Sequence, residues 1–243
     1  MRNLGIRVYG LAAAALGAIA LVWGDFALVW QPVPADLPGR TILAYVTGAL
    51  LLLAGLAVNW KRTARYGAAA LTILFALDVL LLHGPLVAAR PFNLGVWGGV
   101  GEQLALAAGG AIAYASVTGS QDIARIGRIA FGLCLLVFGA EHFRYAAETS
   151  AMVPKWLPPG GMFWAYATGA AHVAAGLAIL SGIQARLAAV LLTAMFAVFA
   201  VLVHAPLLLA GAPSHLHWVM NAMNMALTGA AWVVADSLRP QPR

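Results

Sequence analysis

Two apolar stretches decide the fold: TILAYVTGALLLLAGLAVNW at residues 41–60 and MFWAYATGAAHVAAGLAILS at residues 162–181. A constant spacing of 121 residues relates positions in these stretches and beyond them, giving seven identical pairs: Tyr45 and Tyr166, Gly48 and Gly169, Gly55 and Gly176, Arg65 and Arg186, His83 and His204, Pro85 and Pro206, Trp97 and Trp218. Because seven identities at one spacing are hard to obtain by chance, we predict that the second half of the chain is a diverged copy of the first.

Both stretches have the length of a membrane-spanning helix, since an α-helix needs about 20 apolar residues to cross about 30 Å of hydrocarbon. The whole chain is 63% hydrophobic and only 9% charged, whereas about a quarter of the residues of soluble domains are charged. We therefore predict an all-α integral membrane protein with eight transmembrane helices, at residues 6–29, 41–60, 64–83, 97–115, 125–145, 162–180, 186–210 and 216–236.

Four spans per copy make each copy begin and end on the same side of the membrane, which predicts two parallel, pseudo-symmetric four-helix bundles. The polar stretch SVTGSQDIA at 116–124 is the expected linker between a first repeat at 1–118 and a second at 123–243. The glycines of the spans at 41–60 and 162–180 allow close helix contact, so these two spans are predicted to lie centrally. The third helix of each copy is expected to stop or kink at its His-x-Pro sequence.

The basic residues set the predicted orientation, because positive charge favours cytoplasmic loops. Ten lie on one side and four on the other, which places both termini in the cytoplasm and the chain in a bacterial inner membrane. The ten are Arg2, Arg7, Lys61, Arg62, Arg65, Arg125, Arg128, Arg186, Arg239 and Arg243, and the four are Arg40, Arg90, Arg144 and Lys155. These cations are spread over loops and do not form one patch, which argues against nucleic-acid binding.

The ionisable side chains gather in the non-cytoplasmic half, where such groups are costly and indicate a functional site. The second copy holds polar groups at positions where the first is apolar, and Glu102 is the first copy's main exception. One hypothesis is a metal or haem site formed by His142, His172, His204 and Glu141, since imidazole and carboxylate suit zinc, iron or copper, and imidazole suits haem. The alternative is structural: His83 and His204 cap helix ends, and Glu141 pairs with Arg144.

A second hypothesis is a pocket for a quinone or another small amphipathic molecule. Glu141, His142 and Glu102 would be its catalytic proton-carrying groups, because carboxylic acids and histidines exchange protons readily. Asn221, Asn224, His217 and Trp218 would bind the ligand, as the polar side chains of the last span follow helical spacing. Alternatively, these polar residues are contacts between helices. Trp97, Trp156, Trp164 and Trp218 could line the mouth of the pocket or form an interfacial belt.

The block FGAEHFRYAAETSAMVPKWLPPGGMFWAYATGAAHVAAGLAIL at 138–180, followed by RLAAVLLTAMFAVFAVLVHAPLLLAG at 186–211, resembles the DoxX-like family of bacterial membrane proteins. The Phe-Gly-x-x-His-Phe, Val-Pro-x-Trp-Leu-Pro and Leu-x-His-x-Pro sequences occur in the family's order. The resemblance implies a single four-helix unit, here doubled. It also implies membrane subunits of thiosulfate–quinone oxidoreduction or of oxidative-stress complexes, and it nominates His142 and His204.

The function expected from these features is the membrane part of a redox system, with a periplasm-facing polar cavity that presents quinone, haem or a transition metal. The chain would then be an oxidoreductase subunit whose partners are the lipid bilayer, a quinone or small amphipathic ligand, a membrane or periplasmic redox protein, and a second copy of itself. Two alternatives stay open: a non-enzymatic protein that binds or transports a small solute or lipid, and a scaffold for a membrane complex.

Overall fold

A computed structural model describes residues 4–209 and 214–239, and within these ranges the regular structure is helical throughout. The α-helices are Leu4–Trp23 (α1), Arg40–Ala57 (α2), Ala64–Leu77 (α3), Gly84–Ala89 (α4), Leu94–Thr118 (α5), Gln121–Arg144 (α6), Ala146–Met152 (α7), Gly161–Ser181 (α8), Ala185–Phe199 (α9), Ala205–Leu209 (α10) and His215–Ser237 (α11). A 3₁₀ turn at Leu28–Trp30 follows α1. Arg2, Arg243 and the last residue of the span predicted at 186–210 lie outside the described residues.

Six helices in the described ranges are long and apolar enough to cross a membrane, which makes the chain a multi-pass membrane protein. They are α1, α2, α6, α8, the continuous helix Ala64–Ala89 formed by α3 and α4, and the continuous helix Ala185–Leu209 formed by α9 and α10. The predicted spans at 97–115 and 216–236 coincide with α5 and α11. These two helices are less apolar, because α5 has six glycines with Glu102 and Gln103, and α11 has two histidines and two asparagines.

The fourth long helix of each half lies where the halves meet. Helix α11 packs against α1, α9 and α5, while α5 packs against α6 and α3. The buried Tyr9 hydroxyl donates a 2.8 Å hydrogen bond to the Leu106 carbonyl, which joins α1 to α5. The last long helix of each half therefore packs against the first helix of the other half. Gln103 of α5 and Asn224 and Thr228 of α11 are buried at this junction.

Helices α2 and α8 lie at the periphery, so the prediction that they lie centrally is wrong. Their glycines do permit close contact, but with one neighbour each: α2 packs against α1, and α8 against α6. The opposite face of α2 exposes Ile42, Val46 and Leu53. A glycine stripe and a lipid-facing apolar stripe occupy the same helix, and the sequence pattern alone does not distinguish a central helix from such a peripheral one.

Replacing Gly10 by leucine is expected to destabilise the protein by about 1–3 kcal/mol, the usual cost of overpacking. A Cβ atom at Gly10 would lie 2.7 Å from the Gly55 carbonyl oxygen, so α1 and α2 must separate. Thermal unfolding in detergent measures the effect. Leu11→Ala is the control, because Leu11 is 56% exposed. A Gly10→Leu protein as stable as the control would contradict the close contact.

Of the two predicted outcomes at each His-x-Pro sequence, a stop or a kink, the stop is wrong, because both helices continue past the proline. A π-helical turn at Asp78–His83 joins α3 to α4, and another at Ala200–His204 joins α9 to α10. Proline lacks an N–H, and Pro85 occupies the first turn of α4, where no intrahelical bond is needed. The helix can therefore continue past the proline, and the turns end at His83 and His204.

The two connections that contain the Pro-rich sequences VPADLPG at 33–39 and VPKWLPPGG at 153–161 differ in structure. Asp25 and Arg40 form an ion pair across the first connection, and Leu28–Trp30 forms a 3₁₀ turn within it. The second connection begins with the short helix α7, which the sequence did not predict, and continues as the irregular stretch 153–160. This second connection forms one wall of the cavity described below.

Candidate functional site

A cavity of about 690 Å³ lies in the second half, between α6, α7, α8, α9 and α11. Most of its wall is apolar and aromatic, including Phe138, Met195, Phe196, Phe199 and Met223. Its polar lining is small by comparison: Glu102, Glu141, His142, Thr149, Thr168, His172, His204 and Asn224. Trp30 and Glu102 come from the first half, so both halves contribute to the wall.

The structure brings six of the nine predicted site residues to this one cavity: Glu102, Glu141, His142, His172, His204 and Asn224. Asn221, His217 and Trp218 are not part of the wall. On α11 the cavity is lined by Met220, Met223, Asn224 and Leu227, which follow the i, i+3, i+4, i+7 spacing of one helical face. The predicted polar stripe lies on a neighbouring face and shares only Asn224 with this one.

His142 and His172 form a pair on facing helices, with ring centroids 4.7 Å apart. Each ring bonds the carbonyl one turn earlier in its own helix: His142 Nδ1 lies 2.8 Å from the Phe138 oxygen, and His172 Nδ1 lies 2.8 Å from the Thr168 oxygen. A carbonyl oxygen only accepts, so Nδ1 carries the hydrogen in both rings. In the neutral rings the Nε2 atoms are therefore hydrogen-bond acceptors.

Glu141 of α6 and Glu102 of α5 place two carboxyl groups side by side at the cavity. A Cβ atom at Gly98 would overlap the Glu141 carboxyl group, which shows that this carboxyl lies directly against α5. Glu102 follows Gly98 by four residues and so lies on the same face, one turn further along. The ion pairs in the described part of the chain are Asp25–Arg40 and Asp236–Arg239. The alternative in which Glu141 pairs with Arg144 is therefore wrong.

His204 and Asn224 line the cavity beside the second π turn. Among the described residues, His204 Nδ1 is buried without a hydrogen-bond partner. The buried Asn224 donates from Nδ2 to the Phe196 carbonyl at 3.0 Å, which joins α11 to α9. Asn224 therefore has a structural contact, while His204 keeps an unused ring nitrogen at the cavity wall.

In the first half, the residues equivalent to His204 and Asn224 bind a backbone carbonyl group of the chain itself. His83 precedes His204 by 121 residues, and Gln103 precedes Asn224 by the same spacing. His83 Nε2 lies 3.1 Å from the Trp30 carbonyl oxygen, and Gln103 Nε2 donates to that oxygen at 2.7 Å. His83 is buried, so the interpretation of His83 as a helix cap near the headgroups is wrong.

The sequence did not reveal several residues of the wall. Trp30 lies in a connection without a recognisable motif, and the segment from Thr149 to Leu157 belongs to the second connection. Of the four tryptophans predicted at a pocket mouth, Trp164 lines the cavity and the other three do not. Phe196 and Phe199 look like lipid-facing residues in the sequence, because an apolar span offers no polar face for contrast.

The four residues predicted to bind a metal, His142, His172, His204 and Glu141, all line the cavity. Within the described ranges no group of three or more His, Cys, Asp or Glu side chains lies close enough to hold a metal. The 4.7 Å separation of the His142 and His172 rings leaves no space for a porphyrin between them.

Comparison with known proteins relates the cavity to a family. Residues 123–205 match the model of the DoxX family. No curated protein matches the chain, and no solved structure matches it. The matched segment runs from α6 to the first residue of α10 and includes six of the polar wall residues: Glu141, His142, Thr149, Thr168, His172 and His204.

Proposed function

We propose that this chain, whose residues 123–205 match the DoxX family model, is a bacterial membrane protein that binds a quinone as the membrane part of a redox system. The observation that carries the proposal is the cavity of the second half, where polar groups from six helices, α5, α6, α7, α8, the continuous α9–α10 helix and α11, face one apolar space. Such a cavity, with few convergent polar groups, is the usual form of a small-molecule site.

The shape and lining of the cavity fit a quinone. Its volume of about 690 Å³ lies within the range of about 300–1,000 Å³ that holds small ligands. Phe138, Phe196 and Phe199 offer ring faces and edges on which a flat quinone ring can pack. The two carbonyl oxygens of a quinone accept hydrogen bonds, which the protonated carboxyl groups of Glu141 and Glu102 or Nδ1 of His204 can donate. The hydroxyl groups of the quinol can in turn donate to the His142–His172 pair.

The polar residues have distinct roles in this proposal. A bound quinone takes up two electrons, delivered by a reducing substrate or partner protein, and two protons at its oxygens to become a quinol. The Nε2 atoms of His142 and His172 accept hydrogen bonds from a quinol hydroxyl, and His204 offers a further ring nitrogen. Glu141 and Glu102 lie side by side and pass protons to or from the ligand oxygens.

The two halves are proposed to be diverged copies, with repeats at 1–118 and 123–243 and eight spans in total. The order of the long helices and the two π turns, which end at His83 and His204, supports this. In the first copy the Trp30 carbonyl occupies the position facing His83 and Gln103. In the second copy, the equivalent position beside His204 and Asn224 is proposed to bind the ligand. Both termini are proposed to lie in the cytoplasm, with the chain in the inner membrane and the cavity opening toward the periplasm.

Analysis of the protein purified in mild detergent tests the function. Solvent extraction followed by chromatography measures bound quinone, and the absorption spectrum reports haem. The proposal predicts co-purified quinone or saturable binding of an added short-chain quinone. A protein that contains no co-purified quinone and shows no saturable quinone binding would contradict the proposal. A phospholipid or other solute recovered from the cavity would instead favour the alternative, a non-enzymatic lipid-binding or transport protein, because an acyl chain also fits the apolar wall.

A further inference from the structure

A second cleft, of about 840 Å³, lies at the opposite end of the helices. It is formed by the start of α1, the turn after α2, the end of α5, the start of α6 and the end of α11. This is the end where the two halves join through the linker at 116–124. The cleft shares no lining residue with the quinone cavity, and its function does not depend on that cavity.

Four basic side chains line this cleft: Arg7, Lys61, Arg128 and Arg239. The acidic side chain in its wall is Asp236, which is paired with Arg239 at 2.6 Å. In the described ranges neither ion pair of the chain involves Arg7, Lys61 or Arg128. The cleft therefore holds three cations that form no ion pair among the described residues. The exposed Asp122, next to Gln121 in the first turn of α6, adds one negative charge beside it.

The start of α6 adds to this positive potential. Ser120 and Gln121 line the cleft, and they are the N-cap and first residue of a helix of 24 residues. The Ser120 side chain makes no capping hydrogen bond to the helix. The free N–H groups of the first turn carry partial positive charge and bind anions. Two independent features, the basic side chains and the uncapped helix start, thus meet in one cleft.

The cleft is built from equivalent positions of the two halves. Arg7 and Arg128 are related by the spacing of 121 residues, as are Ser116 and Ser237. All four line the cleft. A ligand with acidic groups on both sides therefore fits this arrangement better than a ligand with one acidic group.

We infer that this cleft binds phosphate groups, supplied by the headgroup of an anionic phospholipid. It lies at the ends of membrane-spanning helices, where lipid phosphates are abundant, and basic pockets between such helices bind anionic headgroups. A headgroup with two phosphates, as in diphosphatidylglycerol, can place one phosphate beside Arg7 of the first half and the other beside Arg128 of the second half. A soluble phosphate compound offers the same chemistry, so the experiment must separate the two sources.

Delipidated full-length protein in neutral detergent tests the inference. Native mass spectrometry measures the binding of diphosphatidylglycerol, phosphatidylglycerol and phosphatidylcholine, and a parallel titration uses inorganic phosphate. We expect the two anionic lipids to bind in preference to phosphatidylcholine. Arg128→Gln should weaken that binding about fivefold to tenfold, the contribution of one cation near an anionic surface.

Arg125→Gln is the matched control, because Arg125 lies on the same helix, is exposed, and does not line the cleft. Arg7→Gln provides a second test if the Arg128 variant does not fold. Loss confined to Arg7→Gln and Arg128→Gln supports the site, whether the anion is a lipid or inorganic phosphate, and the better ligand identifies the source. Equal losses in Arg125→Gln, or no preference for anionic ligands, would overturn the inference.

Discussion

A tryptophan in place of Ala171 is expected to lower the affinity of the protein for a short-chain quinone at least about tenfold. Ala171 lies on α8 beside His172 and lines the cavity. A tryptophan side chain has a surface of about 150–250 Å², so at this position it would occupy much of the space that a quinone ring needs. Equilibrium dialysis with a detergent-soluble quinone measures the change in affinity.

The neighbouring residue provides the control for this substitution. Ala170 is exposed like Ala171 but is not part of the cavity wall. Ala170→Trp adds the same side chain to the same helix one position away and should leave quinone affinity unchanged. Equal affinities of Ala171→Trp and Ala170→Trp would mean that the quinone, if it binds, does so elsewhere.

Glu141→Gln is expected to slow quinone reduction about 10²- to 10⁴-fold, the usual effect of losing a positioned proton-transfer group. Glutamine keeps the shape of the side chain but cannot release a proton, so quinone affinity should change much less than the rate. The assay compares native membranes that carry the wild-type or variant chain. Thiosulfate is the electron donor, since the family resemblance implies it.

Glu148→Gln is the matched control for Glu141→Gln. Glu148 lies on α7 at the same end of the protein, is exposed, and does not line the cavity. The Glu148→Gln variant should reduce quinone at the wild-type rate. A normal rate in Glu141→Gln, or the same loss in both variants, would contradict a proton-carrying role for Glu141.

Most of the helical structure was predictable from the sequence, because the membrane requires long apolar segments with few charges. The segment predicted at 162–180 corresponds to α8 at Gly161–Ser181, and that at 41–60 to α2 at Arg40–Ala57. The central position of α5 and α11 was not predicted. Glycines in α2 marked a close contact with a single neighbour, whereas the residues that place α5 at the centre are spread over its whole length.

The site was partly predictable for a physical reason. Ionisable groups are unfavourable in hydrocarbon, so Glu102, Glu141, His142 and His172 were recognisable as inward-facing residues. The sequence could not show which face of α11 borders the cavity, since Met220 and Met223 are apolar like residues that face lipid. The sequence also could not show that Trp30 of the first half lines the second-half cavity. The contacts of the Trp30 carbonyl with His83 and Gln103 involve a backbone atom and so have no sequence signature.

Photolabelling with an azido-quinone is the most direct test of the claim that the second-half cavity binds quinone. The protein is labelled in detergent or nanodiscs with and without excess unlabelled quinone, and the attachment sites are mapped by mass spectrometry. We predict competed labelling on α8 and α9 at residues that line the cavity, among them Thr168, Met195 and Phe199. Labelling that is not competed, or that maps to exposed residues such as Ile42 and Leu53, would contradict the claim.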